Sequence, residues 1–538
     1  VTTNALQSNL VHRVNVGDSL TRSAARTPSA TAVVEGERRM SYAEFNIGVN
    51  RLAHALTDRG IGTGDAVSLA SGNSIEFLMV YYACAKLGVV CVPINLAWRA
   101  QEVGYVLNDS AARIFLVADT LTSVMSAAVK SAARIERVIV IGKGATGSGG
   151  TTFGDTPVES FDDLASHDDS SEPEVVVDDR AALTYLYTSG TTSAPKGVVG
   201  NHTAVYLESM TMVIEGAFRP DDRFAALLPM FHTAQLNCHC TTAIMVGAAI
   251  HILPGFDAGQ LLSLIEAEGI TQLFGLPMMF RAMLEHPTIG ERNLSSLRRA
   301  LYAMAPMPQD LLERCISTFG CEFYLLFGQT EMSPTTTIFR PENQLTHPGA
   351  VGTPVVNVQV AIVDEAGNPV RQGDEGEIVY RGPHVMTEYL GRPDDTDDAF
   401  RDGWFHSGDI GRFDEDGILW FVDRRKDVIK TGGENVSSLE VEKALYTAAP
   451  EAAEVVVVGL PHAHWSEAIT AFVVPKEGAH IDPAIVRTNM GAHIDAYKIP
   501  KRIIVVGELP KTATGKIQKN IVREENLALY DQGWSGSK

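Results

Sequence analysis

The sequence is poor in cysteine. Six in 538 residues, at positions 84, 91, 238, 240, 315 and 321, are too few for a disulfide framework. Cys238-His239-Cys240 groups three potential metal ligands, but no second Cys or His pair stands near it. Zinc-ligand spacing is therefore missing, and buried thiols are the expectation. Positive charge is also scarce: 44 Lys and Arg face 65 Asp and Glu, a net charge of −21. This excludes the basic face that non-specific nucleic-acid binding needs, so no nucleic-acid partner is expected. An anionic ligand must be met by local positive groups against an adverse overall field. Long apolar runs are absent. The best candidate, "TTAIMVGAAIHIL" at 241–253, falls short of the ~18 residues a membrane span requires. No basic stretch followed by an apolar one opens the sequence. A protein without a membrane span, in the reducing cytoplasm, is expected.

What is present is apolar material, 45% of residues, and length for about three or four domains at ~100–200 residues each. "MSYAEFNIGVNRLAHALTDRG" (40–60) opens with a capping box, Ser41 and Glu44, and continues as a helix with Phe45, Val49, Leu52, Ala53 and Leu56 on one face. Buried strands are expected at 65–71, 88–95, 113–118 and 137–142, with a helix at 75–88. Strands alternating with helices predict parallel sheets covered by helices. Residues 142–157 read as a surface loop and the acidic run "SHDDSSEPE" (166–174) as a solvated linker. The stretch 357–382 has the short alternating pattern of antiparallel β structure. Past residue 423 a smaller α+β unit is expected, with strands at 454–461, 468–475 and 501–510.

"YTSGTTSAPKG" (187–197) packs Gly, Ser and Thr before a single Lys. It is not a Walker loop, because Pro195 rather than Gly precedes Lys196. Read as strand, loop and then helix (202–213), it offers backbone N–H groups and hydroxyls to phosphate oxygens, and Lys196 adds charge. Further on come "FGQTE" (327–331), "GWFHSGDIG" (403–411), "DRRKDVIKTGGENVSSLEVE" (423–442) and "PKTATGK" (510–516). Each alone reads as a turn or a charge run.

Together and in this order they resemble the adenylate-forming superfamily: acyl-CoA synthetases, stand-alone adenylation domains and luciferases. The resemblance runs from the helix near residue 40 to about residue 523. It implies an α/β fold: a large N-terminal domain of sheet subdomains with helices, 1–422, and a small mobile α+β C-terminal domain, 423–538, hinged near Lys426. It implies an acid–thiol ligase that joins a carboxylate to the α-phosphate of ATP and passes the acyl group to coenzyme A. Thr188, Ser189, Gly190, Thr191, Thr192 and Lys196 match the loop over the β- and γ-phosphates. Gly328, Gln329 and Thr330 match the α-phosphate turn, and Glu331 offers an oxygen ligand to Mg²⁺. Ala305 and Pro306 match the adenine-lining segment, Asp409 and Arg424 the ribose contacts. Lys516 matches the lysine that reaches the α-phosphate and the substrate carboxylate. Lys430 is implied to meet nucleotide or CoA phosphates, and Gly432 and Gly433 to admit the pantetheine arm.

The acid itself is implied to be an uncharged organic tail. Phe231-His232 stands where amino-acid-activating relatives carry an Asp nearby, and His232 is implied to orient the carboxylate. Gln235, Leu236, Phe274, Gly275, Leu276, Tyr302, Met304 and Leu326 are the expected pocket lining: apolar for the most part, without a fixed charge. No Trp closes it, which argues against acids as small as acetate. Two departures leave alternatives open. Ser193 replaces a family Gly in the phosphate loop, and "YAMAP" replaces "GGAP". An enzyme keeping only the thioester-forming half, or one loading a carrier protein, stands beside the CoA ligase reading. A catalytically dead nucleotide sensor is disfavoured because Glu331, Asp409, Arg424 and Lys516 are all retained.

Overall fold

The computed structural model describes residues 3–142, 153–188, 195–304, 307–511 and 517–530. The chain divides into two compact units, 1–360 with 380–405, and 361–379 with 406–538. The first contains two sheets. One has seven strands in the order Val158–Ser160, Arg137–Ile141, Ile114–Ala118, Ala66–Ala70, Val90–Pro93, Ala182–Thr188 and Lys196–Asn201. All neighbours are parallel except the last pair. The other has nine strands, its centre parallel and its edges antiparallel.

The sequence periods produce these elements directly. The helix Tyr42–Asp58 starts at the expected capping box: Ser41 accepts from the Glu44 N–H and Glu44 reaches back to the Ser41 N–H. Its face of Phe45, Val49, Leu52, Ala53 and Leu56 is fully buried. The apolar run 241–253 breaks as a helix, Thr241–Val246, and a strand, Ala249–Ile252, separated at Gly247. Among the described residues no helix is long and apolar enough to cross a membrane. All six cysteines are free and buried.

The acidic run 166–174 differs from expectation. It is anchored, not a solvated linker. Lys86 lies on the apolar helix Ile75–Leu87 and is 1% exposed. A buried ammonium needs a carboxylate, and Glu172 supplies it at 2.6 Å. Glu172 also accepts from Thr21, Asn46 and Asn50. Of the expected loop 142–157, residues 143–152 lie outside the described ones.

The second unit, which begins earlier than the expected residue 423 and also takes in 361–379, contains the strands expected near 454, 468 and 501. Strands Ala452–His462 and Ser466–Pro475 pair antiparallel, and Arg502–Val505 lies parallel beside the latter. The helix Ser438–Ala448 packs Val441 and Leu445 with Val457, Ile469 and Val473 in its core.

Candidate active site

The phosphate-loop candidate is flanked by the two strands of an antiparallel pair. Strand Ala182–Thr188 pairs antiparallel with Lys196–Asn201, with Thr188 opposite Lys196. The expected first strand and the helix at 202–213 are present, but a second strand, not foreseen, stands between the loop and that helix. "KGVVGN", with β-branched Val198 and Val199 at its centre, forms the strand Lys196–Asn201, and the helix His202–Glu215 starts only after it. That helix is capped by Asn201, whose side chain accepts from the Ala204 N–H at 2.9 Å. Its N-terminus is therefore spent six residues beyond Lys196. Thr188 and Lys196 are half-buried; Ser189, Gly190, Thr191, Thr192 and Ser193 lie outside the described residues.

Four neighbouring parallel strands of the nine-stranded sheet, Arg223–Ala226, Gln272–Gly275, Arg299–Tyr302 and Glu322–Gly328, end side by side. Carboxyl ends of parallel strands are where such sheets bind ligands. Chain leaving them carries Phe231-His232, Leu276, Met304 and the turn Thr330–Met332. His232 is partly buried, and burial holds its imidazole down to about 4, so it is neutral at pH 7. It precedes a π-helical stretch, Ala234–Cys240, a geometry frequent at functional sites and not visible as a sequence period. Gln235 lies on it but is fully committed: its carbonyl accepts from the Leu228 N–H at 3.0 Å and its amide meets His239 Nδ1 at 2.8 Å. Leu236, Phe274, Gly275, Leu276, Tyr302 and Leu326 are buried, and the Tyr302 hydroxyl is 2.9 Å from Gln344 Oε1. Of the eight expected lining residues only Met304 is exposed, and it holds φ at 75°. Tyr324 is buried with its hydroxyl 3.2 Å from Glu322. Ala305 and Pro306 lie outside the described residues.

In "FGQTE" Gly328 has no alternative. A Cβ there would stand 1.9 Å from the Pro334 carbonyl oxygen. Gln329 donates its N–H to that same oxygen, and Thr330 and Glu331 are partly exposed. Glu331 Oε1 accepts from the Tyr389 hydroxyl at 2.8 Å. Tyr389 belongs to a segment that pairs with the strand Lys196–Asn201: Val199 N donates to Glu388 O, Thr387 N to Val199 O, and Leu390 N to Gly197 O. Lys196 Nζ sits 5.3 Å from the Tyr389 ring centroid and 2.6 Å from Asp395 Oδ1. The candidate phosphate lysine, on the seven-stranded sheet, and the candidate metal carboxylate, in the turn that leaves the nine-stranded one, thus share a side chain.

In the second unit, Asp409 on strand Trp404–Phe413 faces Arg424 on Leu419–Arg424 directly across the ladder. Arg424 Nε is 2.7 Å from Asp409 Oδ1, and Asp409 is 2% exposed. Lys426 and Lys430 are exposed. Gly432 and Gly433 form the two-residue connection between strands Ile429–Thr431 and Glu434–Val436, with φ of 62° and 91°. Such a tight hairpin requires positive φ at both places, so turn chemistry alone accounts for the glycine pair. Lys516 lies outside the described residues.

The profile of the AMP-binding enzyme family matches residues 20–390, and that of the AMP-binding enzyme C-terminal domain matches 440–516. The chain belongs to the AMP-binding enzyme family. This adenylate-forming family explains both the mixed α/β body and the smaller C-terminal part. The chain is 35% identical over 502 residues to a feruloyl-CoA synthase of an Amycolatopsis species, covering 93% of this chain and 97% of the relative. It is 33% identical over 512 residues to the fatty acid–[acyl-carrier-protein] ligase ScoC of Streptomyces coeruleorubidus, covering 93% and 94%. The crystal structure of ATP-bound MatB from Rhodopseudomonas palustris superposes with a TM-score of 0.86 at 29% identity, covering 96% of this chain and all of that one. Two residues of this AMP-binding enzyme were not legible in its sequence. Tyr389 and Asp395 sit in "EYLGRPDDTDD", which carries no motif of its own; only the pairing of 387–390 with the strand Lys196–Asn201 brings them to Lys196.

Proposed function

We propose that this AMP-binding enzyme activates a hydrophobic carboxylic acid, aliphatic, aromatic or polycyclic, as its acyl-adenylate and transfers the acyl group to coenzyme A. One observation carries the reading: Lys196 and Glu331 are held together through Tyr389. A cation beside a hard oxygen ligand is what the phosphates of a nucleotide and their Mg²⁺ require. A single carboxylate with a hydroxyl neighbour suffices when phosphates and water complete the shell of the ion. Glu331 with Thr330 would hold Mg²⁺, which neutralises phosphate charge when bound.

The remaining roles follow the chemistry. Thr188 to Thr192 and Lys196 bind the β- and γ-phosphates, and Gly328, Gln329 and Thr330 the α-phosphate. Ala305 and Pro306 line adenine, and Asp409 and Arg424 meet the ribose. The substrate carboxylate is already an anion at pH 7 and needs no base. Its oxygen attacks the α-phosphorus, the α–β bridging bond breaks, and pyrophosphate leaves. Neutral His232 donates one N–H to the carboxylate, and the Lys516 ammonium offsets the charge on the α-phosphate. The thiol loses its proton to solvent and its thiolate attacks the acyl carbon; the acyl C–O bond to the phosphate breaks, and AMP leaves with the electron pair. Residues 1–422, together with Arg424, bind nucleotide and acid. Residues 423–538 carry Lys516 and turn about Lys426 between the two steps, so that Lys430, Gly432 and Gly433 face the pantetheine arm. Six unpaired thiols suit the reducing cytoplasm.

The buried apolar residues at the strand ends favour a hydrophobic tail, as does similarity to the feruloyl-CoA synthase. Similarity to ScoC supports one alternative acceptor, the pantetheine of a carrier protein. A panel of aliphatic, aromatic and polycyclic acids, incubated with ATP, Mg²⁺ and CoA, tests the reading when acyl-AMP and acyl-CoA are scored separately by mass spectrometry. Both products are expected. Acyl-CoA formed from synthetic adenylate but not from ATP would mean only the second half is kept. Transfer to a pantetheinylated carrier protein but not to CoA would replace the acceptor.

A further inference from the structure

We infer that Tyr389 is a positioning residue that sets the geometry of the nucleotide's metal ion and its terminal phosphates together. The inference rests on the proposed roles of Lys196 and Glu331. Its hydroxyl donates to Glu331 Oε1 at 2.8 Å, and its ring lies beneath Lys196 Nζ at 5.3 Å. A phenol on one carboxylate oxygen fixes the rotation of the group and leaves the other oxygen for a cation. The negative face of the ring attracts the ammonium and restricts where a flexible four-carbon stem can place it.

The backbone makes this contact rigid. Tyr389 stands opposite Val198 of the strand Lys196–Asn201. Leu390 N donates to Gly197 O at 2.8 Å, and Tyr389 N donates to Thr396 Oγ1 at 3.0 Å. Met386 N donates to the Glu331 carbonyl at 2.6 Å, so the same short segment grips the Glu331 main chain and side chain at once. Asp395, on the helix Pro393–Ala399, completes the segment's hold on Lys196. A supporting group of this kind orients an oxygen ligand as outer hydrogen bonds do at metal sites generally.

Tyr389→Phe removes the hydroxyl and keeps the ring; Tyr389→Leu removes both. The affinity of Mn²⁺ for the full-length enzyme with a non-hydrolysable ATP analogue is read by electron paramagnetic resonance. Affinity for the metal-free analogue is read by calorimetry. Tyr389→Phe is expected to weaken Mn²⁺ binding about tenfold, with metal-free nucleotide bound as in the parent. Tyr389→Leu is expected to weaken both, and Glu331→Gln to weaken Mn²⁺ alone. Parent-like Mn²⁺ binding by Tyr389→Phe, with Glu331→Gln impaired, would overturn the positioning role while leaving the site assignment intact. Parent-like Mn²⁺ binding by Glu331→Gln would overturn the assignment of that carboxylate, and the inference with it.

Discussion

Met304 holds a left-handed backbone, φ 75°, at the end of one of the four parallel strands. A Cβ in that region costs roughly 1–2 kcal/mol, and the resembled family has glycine there. Met304→Gly trades this strain against the greater freedom of glycine when unfolded, worth about 0.5–1 kcal/mol. Urea unfolding is therefore expected to show equal stability or a gain of up to about 1.5 kcal/mol. A clear loss would mean that the side chain is held by contacts outweighing its strain. Lys516 is judged by chemistry. If its ammonium offsets charge only during adenylation, Lys516→Ala lowers acyl-AMP formation by about 10²–10³-fold. The same variant should turn synthetic acyl-adenylate and CoA into thioester at the parental rate. Equal loss in both halves would remove Lys516 from its assigned step.

At the scale of elements, the start of the helix Ser438–Ala448 is fixed by a carboxylate from another part of the chain. Asp423 is 1% exposed, and its Oδ2 accepts from the Ser438 N–H at 2.6 Å and the Ser438 hydroxyl at 2.7 Å. Its Oδ1 accepts from the Arg424 N–H at 2.8 Å. A charge at a helix N-terminus meets both its unpaired N–H groups and its dipole. Lys519 adds a second tie, to Glu442 at 2.8 Å and to Ser438. Asp423→Ala strands buried donors and is expected to cost about 3 kcal/mol, read as lost hydrogen-exchange protection in 438–448. Asp423 also sits three residues before Lys426, so the region proposed to turn begins at a tightly held point. "DRRKD" read as a charge run shows none of this, because the partner helix starts fifteen residues later.

Across the whole molecule, buried histidines set the response to acid. Burial holds His202 and His239 down to about 3, and His232 and His251 to about 4, against an ordinary value of 6.5. Arg13 adds to the effect at His202; at His251 Glu268 opposes it. Each imidazole is depressed on folding, so its stabilising contribution is complete above about pH 6.5 and is lost as pH falls toward 4 and 3. The unfolded chain takes up protons in this window that the folded chain refuses. Every unit of depression corresponds to about 1.4 kcal/mol, so melting temperature should drop steeply from pH 6.5 to 4.5. A flat profile would show that these rings are hydrated in the folded state.

Local pattern alone determined much of this protein. The capping box at Ser41 and Glu44, the strand runs near 65, 88, 113 and 137, and the five ordered motifs that mark the family all depend on neighbours within a few residues. Hydrogen-bond periodicity and turn chemistry act at that range, so one sequence suffices to read them. Tertiary structure decided the rest. Whether Glu172 floats or answers buried Lys86, and which aromatic ring joins Lys196 to Glu331, depend on contacts between residues 58 to 193 positions apart. A charge chooses its partner by distance in space and by the dielectric around it, and neither exists until the sheets have closed.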